Sequence, residues 1–278
     1  ALSCDAVPHY TRIASFISSY PDAIESVFEQ VLMVCDEQGL LGNSLFAIDG
    51  CKMPSNAAKE HSGTLAELSR KAKKIRKQIR HCLKEHKKLD GRKPQERERK
   101  QRLAQSAQTL EKHFEKIDKF LKTASPRMGL GKQRKEVKSN ITDNESAKMT
   151  TSKGTIQGYN GVAAVDKKHQ IVIEAQAFGA GQEQHTLQPI LESIEARYQR
   201  LGIQEALYAS GTVVTADTGF SNEPNNRYLK EAGINAYIPD NQFRSRDPKF
   251  KRQKQTYGKR HQDTAKGQPA VIPASEFT

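Results

Sequence analysis

Leu45-Phe46-Ala47-Ile48-Asp49-Gly50 is a short apolar run that closes on an acid and a glycine. Apolar residues in a row, bounded by a turn signal, read as a buried strand ending at Asp49. The pattern recurs far downstream, where Thr212-Val213-Val214-Thr215-Ala216 closes on Asp217-Thr218-Gly219-Phe220. A carboxylate at the end of a buried strand is costly to desolvate unless it is hydrogen-bonded, paired or bound to a metal. Ligand sites in α/β sheets gather at strand ends, above all at carboxyl ends. Were the two strands parallel neighbours, Asp49 and Asp217 would project over one sheet edge, near enough to share a divalent cation. Hard oxygen ligands favour Mg²⁺ or Mn²⁺. Two such ions about 3.5–4 Å apart activate a water or hydroxyl and stabilise the leaving oxygen of a phosphodiester. On spacing alone, a plainer alternative stays open, in which both Asp only cap turns.

Around these strands the periodicity changes repeatedly. Residues 1–43 read as a helical segment, with Ile13, Phe16 and Ile17 on one face, then a second stretch Ile24, Val27, Phe28, Val31, Leu32, Val34, Cys35 that stops at Gly39. Residues 44–58 hold the first strand and its acid. In 59–124, Leu65, Leu68, Ala72, Ile75, Ile79, Cys82, His86 and Leu89 form a coiled-coil seam. The run Asp90-Gly91-Arg92-Lys93-Pro94 breaks it, and a second seam follows at Leu103, Ala107, Leu110, Phe114, Ile117 and Leu121. Two such helices joined by a short Gly/Pro turn are expected to fold back as a basic antiparallel hairpin. Residues 125–155 read as a poorly structured linker, 156–240 as the remainder of an α/β core, and 241–278 as a basic, poorly structured tail. Within that core, Tyr159–Val165 and Ile171–Phe178 predict a hairpin, Gln182–Arg200 a helix, and Ile234–Ile238 a last strand. The order suits a mixed α/β sheet of the ribonuclease-H-like kind with a long basic helical hairpin inserted after its first strand. Other mixed layouts fit the order too.

Charge is distributed as unevenly as hydrophobicity. The 278 residues carry a net charge of +13. Between Lys59 and Lys138 there are 26 Lys and Arg against 10 Asp and Glu, a net of +16, so the remainder is mildly acidic at −3. A second basic run from Arg244 to Lys266 has nine cations against Asp247 and Asp263. Positive charge confined to an arm and a tail suits a polyanion such as DNA. No apolar run approaches the roughly 18 residues that span a bilayer. Cys4, Cys35, Cys51 and Cys82 are spread singly, which fits neither a zinc ribbon nor a disulfide scaffold, so they read as reduced cytoplasmic thiols. The start lacks Met and a signal-peptide layout, so the chain reads as cut from something longer.

Four motifs together resemble a known family. Phe46-Ala47-Ile48-Asp49-Gly50-Cys51-Lys52, followed by Ser55-Asn56-Ala57, resembles the first-acid motif of the DDE transposases of bacterial insertion sequences. Thr215-Ala216-Asp217-Thr218-Gly219-Phe220 resembles their second-acid motif. Asp143-Asn144-Glu145-Ser146-Ala147-Lys148-Met149 and Gln157-Gly158-Tyr159-Asn160-Gly161-Val162-Ala163-Ala164-Val165-Asp166 are similar to linking segments of one branch, which also has a helical insert after the first acid. The resemblance runs in order from about Ser3 to Pro239.

It implies a ribonuclease-H-like core and metal-dependent DNA cleavage and strand transfer at the ends of a mobile element. Asp49 and Asp217 would be catalytic metal ligands for two Mg²⁺ or Mn²⁺ ions, with DNA as partner, a homodimer in the full-length protein, and a bacterial cytoplasmic location. The family's third acid, a Glu on a helix beyond the last strand, has no counterpart here. Glu223 and Glu231 precede that strand and Glu276 lacks the context, so the third acid is expected beyond Thr278. The alternative is a non-catalytic DNA-binding remnant. Candidate DNA contacts are Lys52, Tyr159 and Asn160 beside the acids, and Lys73, Lys74, Arg76, Lys77 and Arg80 on the first hairpin helix. Lys52 reads equally as a plain surface lysine, Tyr159 as half-buried packing, and His185 as a capping or surface residue. A phosphatase of the haloacid-dehalogenase kind is disfavoured, because the nucleophilic Asp it needs two residues before Asp49 is Ala47. A structural coiled-coil arm with no nucleic acid is the remaining rival.

Overall fold

A computed structural model of the chain describes residues 7–90, 93–129, 133–152, 154–240 and 243. The basic run from Arg244 to Lys266, Glu276, Cys4 and Gly91 of the expected turn lie outside the described residues. Two helices, α1 (Tyr10–Ser19) and α2 (Pro21–Glu37), precede strand β1 (Leu45–Pro54). After β2 (Ser62–Gly63) come the long helices α3 (Leu65–Lys88) and α4 (Pro94–Thr123). Strands β3 (Ser139–Asn140), β4 (Ala147–Thr151), β5 (Gly154–Asp166) and β6 (Val172–Phe178) follow. The chain continues with α5 (Leu187–Leu201), β7 (Val213–Ala216), α6 (Glu223–Glu231) and β8 (Asn235–Tyr237).

Strand β1 lies in the middle of a mixed sheet ordered β4-β5-β1-β7-β8, with β6 also paired to β5. It is antiparallel to β5 and parallel to β7, which is parallel to β8. Phe46 and Ile48 point into the core while Ala47 and Asp49 face the other way, the period-2 alternation of a strand. The expectation that this strand ends at Asp49 is corrected. It runs on to Pro54, because β5 keeps pairing with it as far as Pro54↔Gly158. Only the pairing with β7 ends near the acid, at Ile48↔Ala216. The reading of 125–155 as a poorly structured linker is corrected where β3 and β4 form within it. Ala147–Thr151 pairs with β5 from Ala147↔Gly158 to Thr151↔Gly154.

Helix α5 covers the core face of the sheet. Leu187, Ile190, Leu191, Ile194 and Tyr198 are fully buried among Phe46, Val162, Ala164, Ile173 and Val214. Burying a side chain of this size contributes roughly 1.5–3 kcal/mol. Two buried polar groups lock this packing. Asp166 is fully enclosed and accepts from the amides of Gly42, Asn43 at 2.8 Å and Lys168 at 2.7 Å, which fixes the loop leading into β1. Arg197 on α5 is 7% exposed and Glu174 on β6 is 1% exposed. Their pairing is bidentate, at 2.9 Å and 3.2 Å. Arg197 also donates to Glu29 on α2 at 3.0 Å and stacks 5.2 Å from the Phe28 ring centre. One guanidinium thus ties α2, α5 and β6 together.

Helices α3 and α4 pack on each other through Leu68, Ala72, Ile75 and Ile117, with Ile79, Leu110 and Phe114 at the margin. Thr64 and Glu67 form a reciprocal capping box at the start of α3. His61 and His113 stack there with ring centres 4.9 Å apart. Burial holds both imidazoles below the ordinary histidine range, and Lys71 and Lys116 add to it. The amphipathic N-terminal helices form as the periodicity predicts, yet no residue of α1 is buried, and Val27, Val31 and Val34 on α2 are exposed. No helix among the described residues is long and apolar enough to cross a membrane.

Two outcomes follow from these contacts. Arg197→Met leaves the Glu174 carboxylate buried without its partner, and should lower stability by about 3–5 kcal/mol, read as a lower urea midpoint. Arg197→Met combined with Glu174→Leu should recover part of that loss. The two histidines have depressed values in the fold, so the folded state holds fewer protons than the unfolded chain just below pH 6.5. Their contribution should therefore be full above the unfolded value and decline as the pH falls towards the folded one. The melting temperature measured at successive pH values should drop across that window, and His113→Phe should flatten the slope there.

Candidate catalytic edge

The parallel register carries the site. Ile48 is opposite Ala216, so the next residue on each strand is an aspartate. Adjacent strands lie about 4.7–4.9 Å apart, and residues in register project to the same face. Asp49 and Asp217 are both exposed at that edge. Each carboxylate is turned onto a backbone amide. Asp49 accepts from Gly50 at 2.7 Å, and Asp217 accepts from Gly219 at 2.8 Å as the cap of a 3-10 turn, Thr218–Phe220.

A third carboxylate, missed by the sequence reading, reaches the same edge. Glu183 stands on a 3-10 turn, Glu183–His185, between β6 and α5, and its side chain is half-buried. A β-carbon placed on Gly50 would sit 3.3 Å from its Cγ and 3.4 Å from its Oε1. A β-carbon on Gly219 would collide with its Oε2 and lie 2.9 Å from Asp217 Oδ1. The carboxylate of Glu183 therefore bridges the glycines that follow the two aspartates. Glycine at both positions is what leaves it room. Burial, then the Asp217 charge, hold the Glu183 carboxyl above the usual range; Asp49 adds to this and Lys52 opposes it.

The turn is held from two sides. Its carbonyl at Glu183 accepts from the Thr186 amide at 2.9 Å and hydroxyl at 2.7 Å. Asn225 on α6 donates to the Gln184 carbonyl at 2.9 Å and to the Phe220 carbonyl at 2.7 Å, stitching this turn to the one after Asp217. In sequence Glu183 reads as the second residue of the helix expected over Gln182–Arg200, which gives it no separate signal; the helix begins instead at Leu187, after the 3-10 turn that carries Glu183.

The other candidates are placed as follows. Lys52 donates its ammonium to the Thr150 carbonyl at 2.9 Å. Tyr159 is half-buried, and its hydroxyl donates to Asp143 Oδ1 at 2.7 Å, which pushes the phenol up to about 12. Asn160 is 0% exposed, so the structure encloses it instead of presenting it to solvent. Neither its Oδ1 nor its Nδ2 has a hydrogen-bond partner, and Oδ1 lies 3.4 Å from the β-carbon position of Gly50. Lys73, Lys74, Arg76, Lys77 and Arg80 are all exposed on α3, with the Arg76 guanidinium 4.8 Å over the Phe114 ring. His185 accepts or donates at 3.1 Å with Gln182 and has a local role.

The donor set at the edge is all oxygen, and an enclosed amide without partners faces it, which suits a hard divalent cation. As the side chains stand, no group of three or more His, Cys, Asp or Glu among the described residues is arranged to hold a metal ion. Each aspartate instead accepts from a backbone amide.

Comparison with known proteins adds one finding. A family model described as the transposase DDE domain matches residues 107–273, more than half of the chain. The matched range includes Glu183 and Asp217 and begins after Asp49. No curated protein and no solved structure matches.

Proposed function

The chain belongs to the transposase DDE domain family, and on that premise we propose that it cleaves DNA and joins strands at the ends of a mobile element, with Asp49 and Asp217 as the acids that hold Mg²⁺ or Mn²⁺. The observation that carries this reading is that the parallel register of β1 and β7 ends at Ile48↔Ala216, which leaves Asp49, within β1, and Asp217, just past β7, as the next residues at that edge. In it, the mixed sheet is a ribonuclease-H-like core, and α3 with α4 is a coiled-coil hairpin inserted after the first strand.

When bound, the cations would supply a nucleophile at neutral pH and charge stabilisation for the leaving oxygen. The residues of the chain do the rest. Asp49 and Asp217 would release the amides of Gly50 and Gly219 and turn outward to bind. Among the described residues, β1 beyond Asp49 has no partner strand on its β7 side, and that margin would admit the scissile strand. Lys52, one residue beyond Cys51 on the same strand, supplies positive charge beside the acids. The exposed cations of α3 hold the phosphate backbone without reading sequence. A homodimer would bring two element ends together. Nothing in the geometry favours a non-catalytic remnant.

Two experiments test this. In Mg²⁺-dependent cleavage of DNA carrying the element's own ends, Asp49→Asn and Asp217→Asn should each reduce product to background while DNA affinity changes little. Survival of cleavage in either variant would refute the ligand assignment. In a salt series of DNA affinity, changing Lys73, Lys74 and Lys77 together to Gln should flatten the log–log slope by about 2–3, at roughly 0.9 per lost phosphate contact. An unaltered slope would remove α3 from the interface.

A further inference from the structure

We propose that Glu183, backed by the amide of Asn160, is a further cation ligand at the Asp49–Asp217 edge, so that the site closes around a divalent ion with three carboxylates drawn from three separate parts of the chain. This inference rests on the proposed role of the aspartate pair. Glu183 lies ahead of Asp217 in the chain, so it differs from the glutamate that the family resemblance places beyond the last strand.

Two independent observations carry it. The first is position. Glu183 spans from Gly50 to Gly219, the residues that follow the two aspartates, and any side chain at either glycine would meet it. Among the described residues no cation pairs with it: Lys52 is near enough to oppose the rise in its pKa, but its ammonium is donated to the Thr150 carbonyl. A half-buried carboxylate beside two others is unfavourable unless something positive joins them. The second is Asn160. An enclosed amide whose two polar atoms have no partner among the described residues forfeits its hydration without return. Its Oδ1 lies at the same β-carbon position of Gly50 as Glu183 Oε1, each 3.4 Å from it. A cation or its bound water between them would satisfy both groups. Asn160 belongs to β5, paired with Lys52 of β1, so it stands behind the edge formed by β1 and β7. The ligand class is a hard cation of the Mg²⁺, Mn²⁺ or Ca²⁺ kind, since every donor is a carboxylate or amide oxygen.

The test is Mn²⁺ affinity of the whole chain without DNA, read from the electron paramagnetic resonance signal of free Mn²⁺. Wild type should bind. Asp49→Asn, Asp217→Asn and Glu183→Gln should each weaken binding by about tenfold or more, and Asn160→Ala to a smaller extent. Gly50→Ala keeps every carboxylate and its added β-carbon crowds Glu183 and Asn160 at 3.3–3.4 Å, so it should weaken binding in the same direction even if Glu183→Gln folds poorly. If the aspartate variants lose Mn²⁺ while Glu183→Gln and Gly50→Ala bind like wild type, the inference is overturned and the aspartate reading stands. If the aspartate variants also bind like wild type, the reading beneath it fails, and the inference with it.

Discussion

The two partners of β1 do not have the same length, and the site follows from that mismatch. On one side β5 pairs with it over nine residues, down to Pro54, while on the other β7 stops at Ala216. The ladder on the β7 side ends where the acids begin. An antiparallel partner holds β1 straight beyond that point, so Asp49 is fixed on regular strand and not on a loose loop. Asp217 is fixed differently, as the cap of a 3-10 turn that has left the sheet. One acid is rigid through the ladder and the other through a capping bond. Asp49 keeps the alternation of its strand, and Asp217 takes its direction from the turn it caps.

Charge separates the molecule into parts that serve opposite needs. The sheet edge gathers three carboxylates, and the exposed faces of α3 and α4 gather cations. The two parts carry opposite sign, so a polyanion is drawn to the helices and repelled by the edge taken alone. The α3–α4 pair can afford such exposed charge because its own cohesion is apolar, through Leu68, Ala72, Ile75 and Ile117. The lysines contribute reach, and the seam contributes order.

What the sequence disclosed tracks how much of each element is buried. Phe46, Ile48, Val214 and Ala216 are buried at alternate positions, and apolar runs of this kind announced both strands and both acids. The second half of β1 was hidden because its residues face solvent and carry no alternation, being defined only by the partner they bond to. Strand β4 was hidden for the same reason: of Ala147–Thr151 only Met149 is buried, so hydropathy had little to report. The face of α1 was legible, but Ile13, Phe16 and Ile17 are exposed, since periodicity reports an apolar stripe and not what covers it. Glu183 escaped because its role is set by two glycines more than thirty residues away on either side, a relation that only the folded chain displays. Asn160 was singled out in sequence for its motif context, and the fold gives it an enclosed position that the context did not specify.

The placement of Glu183 depends in turn on packing well away from the acids. Its turn opens directly into α5, whose Leu187, Ile190, Leu191, Ile194 and Tyr198 are fully buried and whose Arg197 is clamped to Glu174 of β6. That helix cannot slide along the sheet without breaking a bidentate buried pair. On its other side the turn is stitched by Asn225 to the carbonyl of Phe220, itself fully buried, in the turn that Asp217 caps. Glu183 is therefore tied at once to the core and to the second acid. A shift of α5 would move one carboxylate relative to the other two, so the buried arginine on the far end of the helix and the exposed edge at its start are mechanically one unit.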